Sequence, residues 1–259
     1  MTNKNVIFFD IDGTLLNGEK KLPTSTKESI FKLKELGHEV AIATGRAPFM
    51  FEDLRKELEI DTFVSYNGQY VVVKGELVYA NPLHIPSLQK LAEKALENNH
   101  PVVFMDHEDM RATVPEHNYI NESLASLKLD HFPTHDPHYY KGRDLYQSLL
   151  FCEEGNEVQY EQEFTDFDFI RWHPYSVDIL PKGGSKAIGI EKAAEILGYP
   201  EEKRYAFGDG LNDIEMLSTV KNSVAMGNAE DIVKSAAQHI TKSVESNGIH
   251  HGLKMLGLL

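Results

Sequence analysis

Cysteine, tryptophan, surplus basic residues and long apolar runs are all scarce in this chain of 259 residues, and each scarcity excludes something. Cys152 is the only cysteine, so neither an intrachain disulfide nor a thiolate metal cage is available; its place in the apolar run Ser148 to Cys152 marks it as a buried structural thiol. No uninterrupted apolar stretch approaches bilayer-spanning length, and the first residues lead into a strand-like segment without a basic stretch and apolar signal core. A soluble cytoplasmic protein with no membrane partner is expected. Lys and Arg number 26 against 40 Asp and Glu, a formal net charge of −14, which repels phosphate backbones and argues against a nucleic-acid partner. A small phosphorylated ligand is not excluded, because a divalent cation and a few donors reverse the field within one pocket.

What is present is ordinary in bulk, with 41% hydrophobic and 25% charged residues, and the length suits one large α/β domain or two smaller ones. The organising stretch is Asn5 to Leu16, N-V-I-F-F-D-I-D-G-T-L-L. Val6 to Phe9 form a β-prone apolar run of the kind buried on both faces of a parallel sheet. Asp10 stands where that strand stops, Asp12 follows two residues later, and Gly13 permits a sharp turn. In open α/β sheets ligands bind outside the carboxyl ends of the strands, so this pair lies at an expected active-site mouth, as a nucleophile and its acid/base partner. An acidic turn after a strand accounts for the stretch equally well when it is taken alone.

The chain around it alternates strand and helix. Thr24 or Ser25 is expected to cap a helix running to about Leu36 and stopped by Gly37; Glu39 to Ala43 reads as a second buried strand ending in Thr44-Gly45-Arg46, and Thr62 to Tyr66 as a third. That succession predicts a doubly wound, parallel-sheet (Rossmann-like) α/β core. Around Asn81-Pro82 the pattern changes, and residues 82–181, rich in histidine, read as an inserted α/β domain between core segments 1–81 and 182–259. Within it, His131, His135 and His138 are interrupted by Pro133 and Pro137, which favours a solvated loop over a metal site, and Arg171-Trp172-His173 are candidates to face a substrate, with Trp172 equally suited to a core or interface. After Pro181-Lys182-Gly183-Gly184 the core resumes with a helix over Ser185 to Leu197 and a strand, Arg204 to Phe207, that runs into G-D-G-L-N-D, Gly208 to Asp213.

Strand ends and helix starts thus offer Asp10, Asp12, Thr44, Lys186, Asp209, Asn212 and Asp213 together, the inventory that phosphoryl transfer requires. Mg²⁺ prefers oxygen ligands in an octahedron, which Asp10, the carbonyl of Asp12 and Asp209 can supply, with Asp213 as ligand or support; Lys186 is expected to offset repulsion between Asp10 and a phosphate and to keep Asp10 ionised. D-I-D-G-T (Asp10 to Thr14), A-T-G-R (Ala43 to Arg46), Lys186 in G-G-S-K-A, and G-D-G-L-N-D resemble the four motifs of the haloacid dehalogenase superfamily. Their order resembles its Cof-type phosphatases, which carry a large α/β cap between the second and third motifs, and V-A-M-G-N-A, Val224 to Ala229, is similar to that family as well.

The resemblance implies Asp10 as nucleophile, Asp12 as acid/base and carbonyl metal ligand, Thr44 and Asn212 as phosphate contacts, Lys186 as charge clamp, and Asp209 and Asp213 at the metal. Gly45, Arg46 and Asn67-Gly68 are further candidates near the same mouth. The implied activity is Mg²⁺-dependent hydrolysis of small phosphorylated metabolites through an aspartyl-phosphate, in a monomer or weak homodimer. An Asp at position 12 fits phosphatases and phosphomutases of the superfamily rather than its transport ATPases, which carry Thr there. A phosphomutase, or a non-catalytic protein that binds a phosphometabolite, are the alternatives.

Overall fold

The computed structural model describes residues 4–128 and 131–259, and the chain divides into two compact units. The first comprises the chain up to Arg46, Glu52–Tyr79 and Ser185–Leu259; the second comprises Ala47–Phe51 and Ala80–Gly184. The changes of unit fall within a few residues of the two proline-marked linkers, and the short segment after Arg46 belongs with the second unit rather than the first.

Val6–Phe9 forms the central strand of the first unit, and all four residues are fully buried because helices cover both faces of its sheet. Across an eight-stranded sheet the order is His239–Ile240, Asn222–Ala225, Arg204–Gly208, Val6–Phe9, Glu39–Ala43, Phe63–Ser65, Tyr70–Val73, Glu76–Ala80. Pairing is parallel from the first of these through Phe63–Ser65; Tyr70–Val73 then adds antiparallel. The strands alternate faces. Val6, Phe8, Ala41, Ala43 and Ala206 pack with residues of the helices Lys186–Leu197, Ile214–Thr219 and Asp231–Ala236. On the opposite face Phe9 stacks on Phe207 with ring centroids 5.1 Å apart. Helices Thr24–Glu35 and Gly248–Met255 contact each other, and their apolar stripes through Ile30, Leu33, Ile249 and Leu253 are fully buried. The fold is the expected doubly wound α/β sheet, and the chain leaves its central strand toward Glu39–Ala43 on one side and returns beside it as Arg204–Gly208 on the other. That reversal makes the carboxyl end of Val6–Phe9 the topological switch point, where such sheets bind ligands.

Two local expectations are corrected. Thr24 is the first residue of its helix rather than its cap: extended Pro23 takes that place, and no side chain caps the end. At the helix after the insertion the cap is a real one, since Ser185 accepts a hydrogen bond from the Ile188 amide at 3.4 Å and Lys186 becomes the first helical residue.

The second unit is a six-stranded sheet in the order Phe167–His173, Ser176–Pro181, Gln147–Phe151, Val102–Met105, Met110–Ala112, Thr134–His135, antiparallel except at its last pair. Helices Ile85–Glu97 and Val158–Glu163 cover one face through Leu88, Leu91, Ala95 and Tyr160, packed on Val102, Phe104, Leu150, Val177 and Ile179. His131 pairs with Asp109 at 2.8 Å, and His135 and His138 are exposed, so these histidines form no metal cluster among the described residues. Among those residues no helix is long and apolar enough to cross a membrane.

Candidate active site

Each chemically useful side chain sits at the carboxyl end of a core strand or the amino end of the following helix. Asp10 leaves the central strand with its amide donating to the Phe207 carbonyl at 2.9 Å, so the acid-bearing turn is tied to the neighbouring strand end, which carries Asp209. Gly13 has φ of +80°, and a Cβ there would lie 2.1 Å from Asp209 Oδ2; only glycine lets this turn close over the second acid. Gly68 plays the same part on the other side. Its φ is +100°, and a Cβ would fall 1.9 Å from the Ser185 carbonyl oxygen, so the backbone approach that fixes the entry of Lys186 depends on it.

Lys186 is buried at 1% exposure and donates to Asp10 Oδ1 at 2.6 Å and to Asp213 Oδ1 at 2.7 Å. Asp213 Oδ2 accepts in turn from the amides of Asp209 and Gly210, both at 2.9 Å, which orients it without help from any other cation. Asp209 accepts from Thr14 Oγ1 at 2.7 Å and from Asn228 Nδ2 at 3.0 Å. Asn228 also donates to the Gly13 carbonyl at 3.0 Å, while its own Oδ1 accepts from the Val244 amide at 2.9 Å; this one side chain links the acid-bearing turn, Asp209 and the loop beyond.

Asp10 and Asp213 therefore share one lysine, and one carboxylate oxygen from each of Asp10, Asp209 and Asp213 lies within 4.8 Å of the others. Burial raises the Asp10 carboxyl well above its ordinary value; Lys186 opposes this, and Asp213, Asp209 and Asp12 add to it. Burial likewise pushes Asp209 up to about 6. Lys186 is the group that favours the ionised form of Asp10 against this desolvation. Lys186 itself, though desolvation disfavours its charge, is held charged by Asp10 and Asp213. A buried set of hard oxygen donors with an excess of negative charge fits a divalent cation, and that cation would complete the charge balance.

Asp12 has a different environment. Arg46 grips its carboxylate with two bonds, Nε to Oδ2 at 2.7 Å and Nη2 to Oδ1 at 2.6 Å, and Lys20 adds a third at 2.5 Å. Burial alone would raise this carboxyl, but Arg46 and then Lys20 outweigh it and hold Asp12 below the usual carboxylate range. The backbone of Arg46 is fixed as well: its amide donates to Thr44 Oγ1 at 3.1 Å and its carbonyl accepts from Ser65 Oγ at 2.5 Å. Thr44 is buried, Gly45 lies against Asn67, and Asn67, in a left-handed conformation (φ 50°, ψ 38°), accepts from Asn212 Nδ2 at 3.0 Å. The structure thus joins Asp10, Asp209, Asp213 and Lys186 in one cluster, Asp12 with Arg46 in a second, and Asn67 with Asn212 beside Gly45 in a third.

Lys20, Thr14 and Asn228 were not singled out from the sequence. Thr14 and Asn228 lie within motif segments that carry the family resemblance; Lys20 sits in a polar loop at φ of +60°, and nothing in the sequence marks it. Arg171, expected as a candidate substrate contact, is instead committed to structure. Its guanidinium makes two bonds to Glu157, at 2.8 and 2.6 Å, and others to the Cys152 and Pro174 carbonyls, while His173 pairs with Ser123 at 2.9 Å.

A doubly wound core with an acid-bearing switch point, a buried lysine and a three-acid cluster has the layout of a phosphoryl-transfer hydrolase. Residues 7–253 match the haloacid dehalogenase-like hydrolase family, and the chain belongs to it. It is a phosphatase of that family, a hydrolase of phosphoric monoesters. Among its relatives, the Bacillus subtilis (strain 168) protein named "Putative phosphatase YkrA" is 45% identical over 257 residues, which is 99% of each chain. The pyridoxal phosphate phosphatase YbhA of Escherichia coli (strain K12) is 29% identical over 254 residues, 90% of this chain and 91% of that one. A protein from Geobacillus kaustophilus HTA426 with a solved crystal structure is 53% identical, with a TM-score of 0.95 over 99% of this chain and 100% of its own.

Proposed function

We propose that the protein is a Mg²⁺-dependent phosphatase of small phosphorylated metabolites that works through an aspartyl-phosphate on Asp10, and that the second unit is a cap that reads the part of the substrate beyond the phosphate. The observation that carries this reading is the Lys186 bridge between Asp10 and Asp213, with Asp209 in the same cluster: a nucleophile, one fixed cation and a deficit of positive charge at a strand end. When bound, Mg²⁺ would be held by Asp10, the Asp12 carbonyl, Asp209 and Asp213 and would neutralise charge on the phosphoryl oxygens.

The residues of the chain supply the rest. An Asp10 carboxylate oxygen attacks phosphorus in line, the P–O bond to the leaving group breaks, and Asp12 gives its proton to the departing oxygen. Thr44, Asn212 and Lys186 hold the phosphoryl oxygens while this occurs. Asp12, now a carboxylate, then takes a proton from a water whose oxygen attacks the same phosphorus, releasing inorganic phosphate and restoring Asp10. The three-bond grip of Arg46 and Lys20 stabilises the base form that this second step uses. For the first step an incoming phosphate, as a competing anion, draws the guanidinium away and lets Asp12 carry a proton.

Phosphate release from a panel of sugar phosphates, nucleotides, pyridoxal phosphate and p-nitrophenyl phosphate tests the proposal. Turnover should stop on chelation and return with Mg²⁺, and should need no activating bisphosphate, which separates it from a phosphomutase. Full turnover after exhaustive chelation would refute the metal assignment.

A further inference from the structure

Asn228 is exposed, yet both of its amide protons are committed to the first unit. Its Nδ2 donates to Asp209 Oδ2 and to the Gly13 carbonyl, both at 3.0 Å, and its Oδ1 accepts from the Val244 amide at 2.9 Å. A backbone N–H can only donate, so the bond from Val244 fixes which end of the side chain faces which way. The three partners lie 215, 19 and 16 residues away in sequence. Most side-chain hydrogen bonds go to water or to backbone, so an exposed amide spent on three distant segments, one of them a carboxylate, points to a task.

The groups that Asn228 joins flank the cation site proposed above. Asp209 has Oδ1 held by Thr14 at 2.7 Å and Oδ2 held by Asn228, which pins both oxygens and still leaves a lone pair on each. In the acid-bearing turn the Gly13 amide donates to the Leu16 carbonyl at 2.8 Å; across the trans peptide the Asp12 carbonyl is therefore directed the opposite way, and Asn228 holds the next carbonyl, that of Gly13. The backbone around Asn228 is anchored on two sides. The Met226 amide donates at 2.9 Å to the carbonyl of Gly208, the residue before Asp209, and the Gly227 amide donates at 3.0 Å to the Lys242 carbonyl, two residues before Val244. Ser243 is extended (φ −65°, ψ 159°) and Val244 opens a 3₁₀ turn, Val244–Ser246, so the Val244 amide has no acceptor within that turn and serves Asn228 instead.

We infer that Asn228 is a positioning residue of the cation site: it fixes Asp209 and the Asp12–Gly13 turn relative to each other, and the Val244 amide fixes Asn228. It is not itself a ligand, since its nitrogen carries protons and its oxygen is turned to Val244. Without it, Asp209 Oδ2 and the Gly13 carbonyl turn to water, and the cation has to order both segments as it binds. Removing a support of this kind lowers metal affinity by about 10- to 100-fold. The inference rests on the reading of Asp209 and the Asp12 carbonyl as Mg²⁺ ligands.

Calorimetric titration of the chelator-treated full chain with Mg²⁺, alongside thermal melts, tests it without turnover. Asn228→Ala should bind Mg²⁺ about 10- to 100-fold more weakly and show a smaller Mg²⁺-induced rise in Tm, with its metal-free Tm close to that of the wild type. Val244→Pro deletes the amide that orients Asn228 and touches no ligand. Proline suits the position, because the residue before it is extended and the first residue of a helical turn accepts it. This variant should weaken Mg²⁺ binding by roughly 10-fold, and adding it to Asn228→Ala should cause no further loss, because the two changes break one chain of bonds. Wild-type affinity in Asn228→Ala, or losses from the two substitutions that add in full, overturns the inference. Should Asn228→Ala not fold, as judged by circular dichroism, Val244→Pro decides alone, and unchanged affinity there overturns it. A wild type that takes up no Mg²⁺ refutes the metal assignment itself, and this inference with it.

Discussion

Asp178→Asn should alter how stability depends on pH, and the effect can be worked out from the burial of this one carboxyl. Burial lifts it from its ordinary 3.8 to about 8, with no charged group contributing. Because the folded-state value is the higher one, the folded chain holds a proton that the unfolded chain has released between about pH 4 and pH 8. Stability therefore falls as pH rises through that window, by about 1.4 kcal/mol per pH unit for one proton, or roughly 3 kcal/mol between pH 5 and pH 7. Asparagine has nearly the same shape and cannot ionise, so the variant should lack this slope and should be the more stable protein at pH 8. Urea unfolding at pH 5 to 9 measures it, and Trp172, the only tryptophan, sits beside Asp178 and reports on this unit by fluorescence. Stability curves for wild type and variant that run parallel across the whole range would show that Asp178 ionises normally and is not desolvated as described.

Lys186→Met should cost about 3–5 kcal/mol of stability, because it leaves Asp10 and Asp213 buried side by side without their shared cation; thermal melts should show the loss partly reversed by Mg²⁺. Gly13→Ala should abolish turnover and lower Mg²⁺ affinity in a calorimetric titration, since its methyl group would occupy the space of the Asp209 carboxylate. Asp12→Asn should lower kcat/KM by roughly 10²- to 10⁴-fold for an alkyl phosphate and far less for p-nitrophenyl phosphate, whose leaving group needs no proton; equal losses on both would remove Asp12 from the role of general acid.

Much of the first unit was legible in the sequence because its signals are local. An apolar run that stops at a polar side chain, as at Phe9 and Asp10, gives both a buried strand and the end of it, and the recurrence of that pattern at Ala43-Thr44 and Phe207-Gly208-Asp209 gives the parallel order and the site together. Signals that depend on distant partners were not legible. Lys20 reaches Asp12 from a loop in which it adopts a left-handed conformation, and the gathering of Asp10 with Asp209 and Asp213 around Lys186 joins three segments of the chain that are far apart in sequence. The second unit shows the same limit. Its strand Phe167–His173 is half-buried at an edge and carries charges along its length, so it lacks the apolar run that marks Val102–Met105 and Gln147–Phe151. Asp178 interrupts a largely apolar strand, and it is its burial, which the strand pattern does not show, that raises its carboxyl.

The account stands most directly on Asp10 as the atom that takes the phosphoryl group. Rapid mixing with a saturating phosphate ester, an acid quench within a single turnover and peptide mass mapping should place one phosphoryl group on Asp10, with none in Asp10→Asn and a longer-lived signal in Asp12→Asn, which lacks the base for hydrolysis. Phosphate released in the first turnover with no acyl-phosphate formed, or a phosphoryl group found on any other residue, would contradict it.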